Sequence, residues 1–348
     1  MISEKPDLTK IPVQNIYYLL SYSWDKLEEA KQTPVSQTNK ENLSTLFAKV
    51  LINGASRILK RGLDSDYIQK EEMVSRIRGQ ICFTESFNRT FMRKPALICQ
   101  FDEFDNNILH NQIIKTTIRR MIRCSEVDRE AANDLRKIYR RFDGVDEIDM
   151  NKRLFGRVCL NRNNSYYAFL INVCELIYDC LLPSEEAGRF IFNDFRRDHQ
   201  AMARLFEGFV RNFYAKEQTS FKVASEFVDW DLSGFESSKD KAMLPDMRTD
   251  ISLTSSGRKI IMDTKFYTRM FQNYYEIEKA RSKNLYQIFA YIMNDPFENC
   301  EGILLYPSAS ENKVNHQWII KGRRISLQTV NLNQNWADIH NELIDILN

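Results

Sequence analysis

At 348 residues, with 43% hydrophobic and 28% charged residues, the chain has room for two domains, each with its own core. Only 11 glycines and 8 prolines argue against long flexible linkers and low-complexity tracts. Basic residues number 49 against 47 acidic, so any nucleic-acid partner must be met by a local basic surface rather than by a global excess.

The 7 cysteines include no Cys-x-x-Cys pair and stand beside only 4 histidines, a pattern of reduced thiols rather than of a disulfide framework or a zinc site. No signal-type apolar core opens the chain, and no apolar run approaches ~18 residues. A soluble, cytoplasmic protein with no membrane partner is expected.

In chain order, Ile16, Leu19, Leu20 and Trp24 recur at roughly helical spacing in IPVQNIYYLLSYSW and predict a buried N-terminal helix. A second helix is expected over about 41–61, on Leu43, Leu46, Phe47, Val50 and Leu51. DYIQKEEMVSRIRGQICFTESF then turns to β-branched and aromatic residues punctuated by Gly79, which predicts short strands or an extended hairpin. The helical period returns in NNILHNQIIKTTIRRMIRC, with Ile114, Ile118, Met121 and Ile122 in one apolar stripe. Lys115, Arg119 and Arg123 fall four apart on another stripe, read as a solvated face in preference to a phosphate or partner contact. SYYAFLINVCELIYDCLL is a further apolar helix, ended by Pro183 and Ser184, and the domain boundary is set there, giving domains 1–185 and 186–348.

The second domain reads as a helix near 198–216, strands at 221–229, 249–254 and 259–267, and a helix near 281–294. Strands near 301–306 and 315–320 and a helix over 335–347 complete it. Strands with interleaved helices make an α/β or α+β sheet domain, behind a largely helical N-terminal domain with a small β segment.

The stretch LPDMRTDISLTSSGRKIIMDTKFY carries the chemistry. Ser256-Gly257 is a turn signal, and symmetric pairing about it sets Asp250 opposite Asp263. Their Cβ atoms would then lie roughly 4.5–5.5 Å apart. Opposed carboxylates repel unless a cation lies between them. Lys265 shares a strand face with Asp263 and neutralises them in part; Mg²⁺, or Mn²⁺, would do so better through hard oxygen ligands. Lys265 could then orient a water or stabilise charge on phosphorus. Asp246, in the nearby Pro-Asp dipeptide, is out of register with Asp263 and is the weaker choice.

An acid followed on the next strand by acid-x-Lys resembles the PD-(D/E)xK nuclease superfamily, which implies a restriction-endonuclease-like mixed sheet flanked by helices. Glu207, in HQAMARLFEGFVRNFY, matches the helix carboxylate that superfamily members often bring to the metal. Gln287 and Tyr291, in NLYQIFAYIM, share one helix face and resemble the Gln-x-x-x-Tyr element of RecB-like nucleases, a supporting pair beside the active site.

IPVQNIYYLLSYSW, RGLDSDYIQKEEMVSRIRGQ, NDFRRDHQAMARLFEGFVRNFY and the hairpin together resemble the McrC family of modification-dependent restriction systems, from about residue 11 to the C-terminus. That resemblance implies a DNA endonuclease domain at 186–348, with Asp250, Asp263 and Lys265 catalytic. It implies an N-terminal domain at 1–185 that docks on a hexameric AAA+ GTPase ring, the McrB type, and stimulates its GTP hydrolysis. GTP would be bound only by that partner, in keeping with the absence here of a GxxxxGK[ST] motif. The partner would also recognise double-stranded DNA carrying modified cytosine. The segment around 66–105 is the expected region of ring contact. The sequence leaves open whether phosphate contacts come from Arg258, Lys259, Arg269 or the N-terminal domain. Two rival readings remain at this point: a self-sufficient RecB-like nuclease in repair or phage defence, and a non-catalytic adaptor of a ring ATPase.

Overall fold

The computed structural model describes residues 10–25, 42–84, 86, 97–184, 186, 188–234, 237–266, 271–274 and 277–348. Two compact units emerge, one of Met1–Lys40 with Asp194–Asn348, the other of Glu41–Asn193.

The chain begins with α1 (Val13–Ser23) in the first unit and then builds the second. There it runs through α2 (Leu43–Arg61), β1 (Asp66–Val74), β2 (Gln80–Ile81), β3 (Leu97–Asp105), α3 (Leu109–Ile122) and α4 (Arg129–Arg140). A short helical turn at Lys152–Phe155, α5 (Tyr167–Cys180), β4 (Leu181–Pro183) and β5 (Phe190–Phe192) finish that unit. The first unit resumes with α6 (His199–Glu217), β6 (Lys222–Ala224), β7 (Phe227–Val228), a helical turn at Ser238–Ala242, β8 (Met247–Arg248), β9 (Ile251–Thr254) and β10 (Lys259–Thr264). It ends with β11 (Phe271–Tyr274), β12 (Ile277–Ala280), α7 (Ser282–Asn294), β13 (Cys300–Ser308), β14 (Asn315–Ile320), β15 (Arg323–Asn331) and α8 (Trp336–Asp345).

The division corrects the one drawn from sequence in one respect. The helix α1, counted with the N-terminal domain, packs in the unit that carries the six-stranded sheet. Ile16 and Leu19 on it are fully buried, and Tyr22 sets its ring against Phe209 and Phe213 of α6. Gly208 of α6 lies so close to Ser23 that no Cβ fits there. Asn15 Nδ2 donates to Leu332 O and Gln334 O, at 2.9 and 2.8 Å, tying α1 to the loop after β15. The sequence signal for α1 was its burial, and burial does not say against which half.

In the 41–193 unit, α2, α3 and α5 supply a core of Leu46, Phe47, Leu51, Ile113, Ile114, Ile118, Leu170 and Ile177. Asn42 caps α2 by accepting from Thr45 N, and Asp128 caps α4 by accepting from Ala131 N. The strands form an antiparallel sheet in the order β1-β3-β2. Its apolar residues Tyr67, Met73 and Phe104 are exposed, with the Tyr67 and Phe104 rings paired across the strands at 5.3 Å. The basic stripe of α3 is less solvated than its spacing suggests. Lys115 Nζ donates to Phe142 O at 2.9 Å and to Val145 O, while Arg119 stacks over Tyr139 and meets Glu147 at 3.9 Å. Those two cations hold the end of α4 and the loop after it; Arg123 is the exposed member. Pro183 does not end a helix either, because α5 stops at Cys180 and Leu181–Pro183 pairs with Phe190–Phe192.

In the other unit, six strands run in the order β14-β15-β13-β10-β9-β6. The central strands β10, β13 and β15 are parallel, and the remaining pairings are antiparallel. Every residue of β13 is buried, as a strand covered on both faces requires. Ile261, Leu304, Tyr306, Ile325 and Leu327 share a core with Ile288, Tyr291 and Ile292 of α7. Gly302 permits that approach, since a Cβ there would stand 2.7 Å from Ile288 Cγ1. The expected strand 221–229 is two short strands, 259–267 ends as a strand at Thr264, and β11, β12 and β15 were not anticipated.

Candidate active site

The β9–β10 hairpin has the register read from its turn. Ser255 N donates to Arg258 O at 2.9 Å, closing the turn with Ser256-Gly257 at its centre. Lys259 pairs with Thr254, Ile260 with Leu253, Ile261 with Ser252 and Met262 with Ile251. The ladder stops there, one position short of Asp263 and Asp250, which would face each other if the register continued.

Asp263 sits in the middle of the sheet, opposite Leu304 of β13, on the face that Ile261 and Leu304 turn toward α7. Its exposure is 0%. Lys265 Nζ donates to Asp263 Oδ1 at 2.9 Å and stands 2.8 Å from Oδ2. The ammonium is off the hydrogen-bonding direction of Oδ2, which is buried and has no hydrogen-bond partner among the described residues. The backbone of Lys265 is held too, its N–H donating to Leu305 O at 3.0 Å.

Asp250 lies just before β9 and is half-buried. Its Oδ2 accepts from Thr264 N at 3.0 Å and from Thr264 Oγ1 at 3.3 Å. The preceding residue is pinned as well, with Thr249 N donating to Glu226 O and Thr249 Oγ1 lying 2.9 Å from Ser252 Oγ.

Burial raises the pKa of Asp263 to about 7; Lys265 opposes the shift, and Asp250 and Glu207 add to it through their like charge. Glu207 is also raised, first by burial and then by Asp250, against the pull of Arg211, Arg248 and Lys265. The acids and cations therefore share one electrostatic neighbourhood.

Glu207 is not drawn into a ligand cage. Its carboxylate accepts from Arg211 Nη1 at 3.2 Å, one turn along α6, and its side chain is 37% exposed. Among the described residues, no three His, Cys, Asp or Glu side chains converge as a metal-holding group. The Glu207 carboxylate is thus paired with Arg211, and the metal role read for it from sequence stays an expectation. Gln287 Nε2 donates to Tyr291 Oη at 2.9 Å, and Tyr291 is buried in the α7 core. Neither hydrogen-bonds Asp263 or Lys265. Asp246 lines a separate cavity of about 130 Å³ with Phe227, Trp230 and Lys241.

The basic residues named from sequence fare differently. Arg258 is bound to Glu301 at 2.5 Å and to Leu347 O. Lys259 lies 2.6 Å from Asp295, itself buried, and 3.0 Å from Glu226. Both are engaged inside the fold, and Arg269 lies outside the described residues. Sequence reading passed over Arg248, whose only signal was its place two residues before Asp250.

A six-stranded mixed sheet thus carries at its centre a hairpin with Asp250 beside the end of one strand and Asp263-Thr264-Lys265 at the end of the other. The model of a family described as McrBC 5-methylcytosine restriction system component matches residues 3–307. Over 339 residues, 97% of each chain, the protein is 33% identical to the type IV methyl-directed restriction enzyme EcoKMcrBC of Escherichia coli strain K12. The chain belongs to the McrBC restriction-system component family. Its fold is similar to a chain of the refined half-complex from a tetradecameric assembly of Thermococcus gammatolerans McrB AAA+ hexamers with bound McrC. The TM-score is 0.58 at 14% identity, covering 96% of this chain and 76% of that one. No helix among the described residues is long and apolar enough to cross a membrane.

Proposed function

We propose that this chain is the DNA-cutting subunit of a modification-dependent restriction complex and hydrolyses phosphodiester bonds with the hairpin acids and Lys265. The observation that carries the reading is the register of β9 and β10, whose continuation brings Asp250 and Asp263 together beside Lys265. An isolated surface ion pair would have no reason to sit at 0% exposure in a central strand.

The donor set fits Mg²⁺, with Mn²⁺ as a substitute. Asp263 Oδ2 is buried, ion-paired with Lys265 and without a hydrogen-bond partner among the described residues, Asp250 supplies a second carboxylate, and Mg²⁺ commonly takes one or two carboxylates and fills its shell with water. When bound, the ion would polarise the phosphoryl oxygen and lower the pKa of a coordinated water. β10, buried on both sides, holds Asp263 rigidly, and Thr264 N fixes Asp250 against it. Lys265 keeps the buried Asp263 charge compensated and is placed to donate to the phosphate as negative charge builds on it. Glu207 holds Arg211 at the margin of the site and is a ligand only if that pair opens.

In this reading GTP is bound and hydrolysed by an AAA+ partner of the McrB type, which also recognises modified cytosine in double-stranded DNA. The unit Glu41–Asn193 serves as the docking module, and its exposed Tyr67, Met73, Ile77, Phe83 and Phe104 are among the apolar side chains it offers. Similarity along 97% of the E. coli restriction enzyme favours this over a free-standing nuclease or a bare adaptor.

The test is cleavage of methylated plasmid by the chain with and without the partner, GTP and Mg²⁺. Cutting is expected only when all are present, and chelation should abolish it. Efficient metal-dependent cutting by the chain alone would favour the self-sufficient nuclease.

A further inference from the structure

With Arg258 and Lys259 engaged in internal ion pairs, the cation that meets the DNA backbone near the site has to come from elsewhere. The need is real. Before a metal binds, Asp250, Asp263 and Glu207 outnumber Lys265 and Arg211, so a phosphodiester entering there meets net negative charge unless a further cation offsets it.

We propose that Arg248 is that cation, a further substrate-contacting residue that grips a backbone phosphate of the DNA strand lying beside Asp250. The proposal rests on the nuclease reading above. Arg248 is exposed on β8, two residues before Asp250, and pairs across the strands with Phe227. Its Nε donates to Ser225 Oγ at 3.3 Å, and its guanidinium carbon stands 5.7 Å from the centre of the Phe227 ring. Those contacts orient the guanidinium without neutralising it. Among the described residues no carboxylate is within ion-pair distance of Arg248, in contrast to Arg211, which is paired with Glu207 at 3.2 Å. The two terminal nitrogens are left to an incoming anion, and a planar fork matches two phosphate oxygens.

The backbone under Arg248 is fixed rather than mobile. Ser225 Oγ donates to Thr249 O at 2.7 Å, and Thr249 N donates to Glu226 O at 2.9 Å. The same segment carries Asp250, so a phosphate held by Arg248 is registered against that acid. Glu207 responds to both Arg248 and Asp250, which sets all three in one neighbourhood.

The experiment uses the complex of full-length chain, partner GTPase, GTP, Mg²⁺ and methylated plasmid, comparing wild type, Arg248→Ala, Arg248→Gln, Arg248→Lys and Asp263→Ala. Loss of one phosphate contact should raise the DNA concentration for half-maximal cleavage roughly tenfold. It should also reduce the salt slope of DNA binding by about one. Arg248→Gln should reproduce both effects with an unchanged melting temperature, and Arg248→Lys should recover the salt slope while regaining only part of the affinity. If the Ala and Gln variants keep the wild-type half-saturation and salt slope while Asp263→Ala is inactive, the proposal falls alone. If they lose turnover with both quantities unchanged, Arg248 is not a phosphate contact, and the proposal falls again. Full cleavage by Asp263→Ala overturns the nuclease reading and the proposal with it.

Discussion

Thr264 donates its backbone N–H to Asp250 Oδ2 at 3.0 Å, and its hydroxyl reaches the same oxygen at 3.3 Å. A main-chain donor at the end of β10 is thus satisfied by an acidic side chain rather than by a strand partner, and the ladder with β9 stops at Met262 and Ile251. Asp250 is at once a structural acceptor and one of the acids of the candidate site.

That double role predicts a double phenotype. Asp250→Ala should abolish cleavage and also destabilise its unit by about 1.5–3 kcal/mol, the range for a hydrogen bond to a charged group. Asp250→Asn keeps an acceptor and should restore much of the stability without restoring cleavage. Urea denaturation of the metal-free proteins, run beside a plasmid assay, separates the two losses.

The state of Asp263 gives a pH dependence with a definite sign. Burial raises its pKa to about 7, above the ~3.9 of an unfolded aspartate, so the folded chain holds a proton that the unfolded chain has released. In chelator, its contribution to stability should therefore grow as pH falls from about 8 to 5, relative to Asp263→Asn. It should be lost as pH rises through about 7. Because a metal must displace that proton, Mg²⁺ affinity should fall over the same range as the solution is acidified. Thermal melts at several pH values, with and without Mg²⁺, test both signs.

Lys259 is a structural cation in this account. Removing it leaves Asp295, whose side chain is 2% exposed, as an uncompensated buried charge. Lys259→Met should cost about 3–5 kcal/mol of stability. The double change Lys259→Met with Asp295→Leu should regain most of it. DNA-binding salt dependence in the double variant should match wild type; a slope lower by about one would return Lys259 to the phosphate contacts.

The exposed sheet of the 41–193 unit offers a separate test of docking. Tyr67 and Phe104 form a cross-strand pair that faces outward, so Tyr67→Ala with Phe104→Ala should cost only about 1 kcal/mol of stability. The same double variant should lose stimulation of the partner's GTPase. Unchanged stimulation would move the docking surface elsewhere on the unit.

The site was legible in the sequence where one local signal controls the geometry. Ser256-Gly257 marks a symmetric turn, and a turn fixes the rungs below it, so the four pairs from Lys259–Thr254 to Met262–Ile251 followed and left Asp250 and Asp263 just past the last of them. What failed depended on partners distant in the chain. Arg258 and Lys259 looked free until Glu301 and Asp295 came to meet them. The home of α1 was hidden for the same reason, since Ile16 and Leu19 announce burial but not the half that buries them. β15 escaped notice although Ile325, Leu327 and Val330 are buried along it, because RRISLQTVN opens on two arginines and mixes polar residues among its apolar ones.

The most direct measurement is a pair of assays on Asp263→Ala in the presence of the partner GTPase and Mg²⁺: cleavage of methylated DNA, and stimulation of GTP hydrolysis. The account predicts that cleavage disappears while stimulation stays at the wild-type level. Retained cleavage would contradict it.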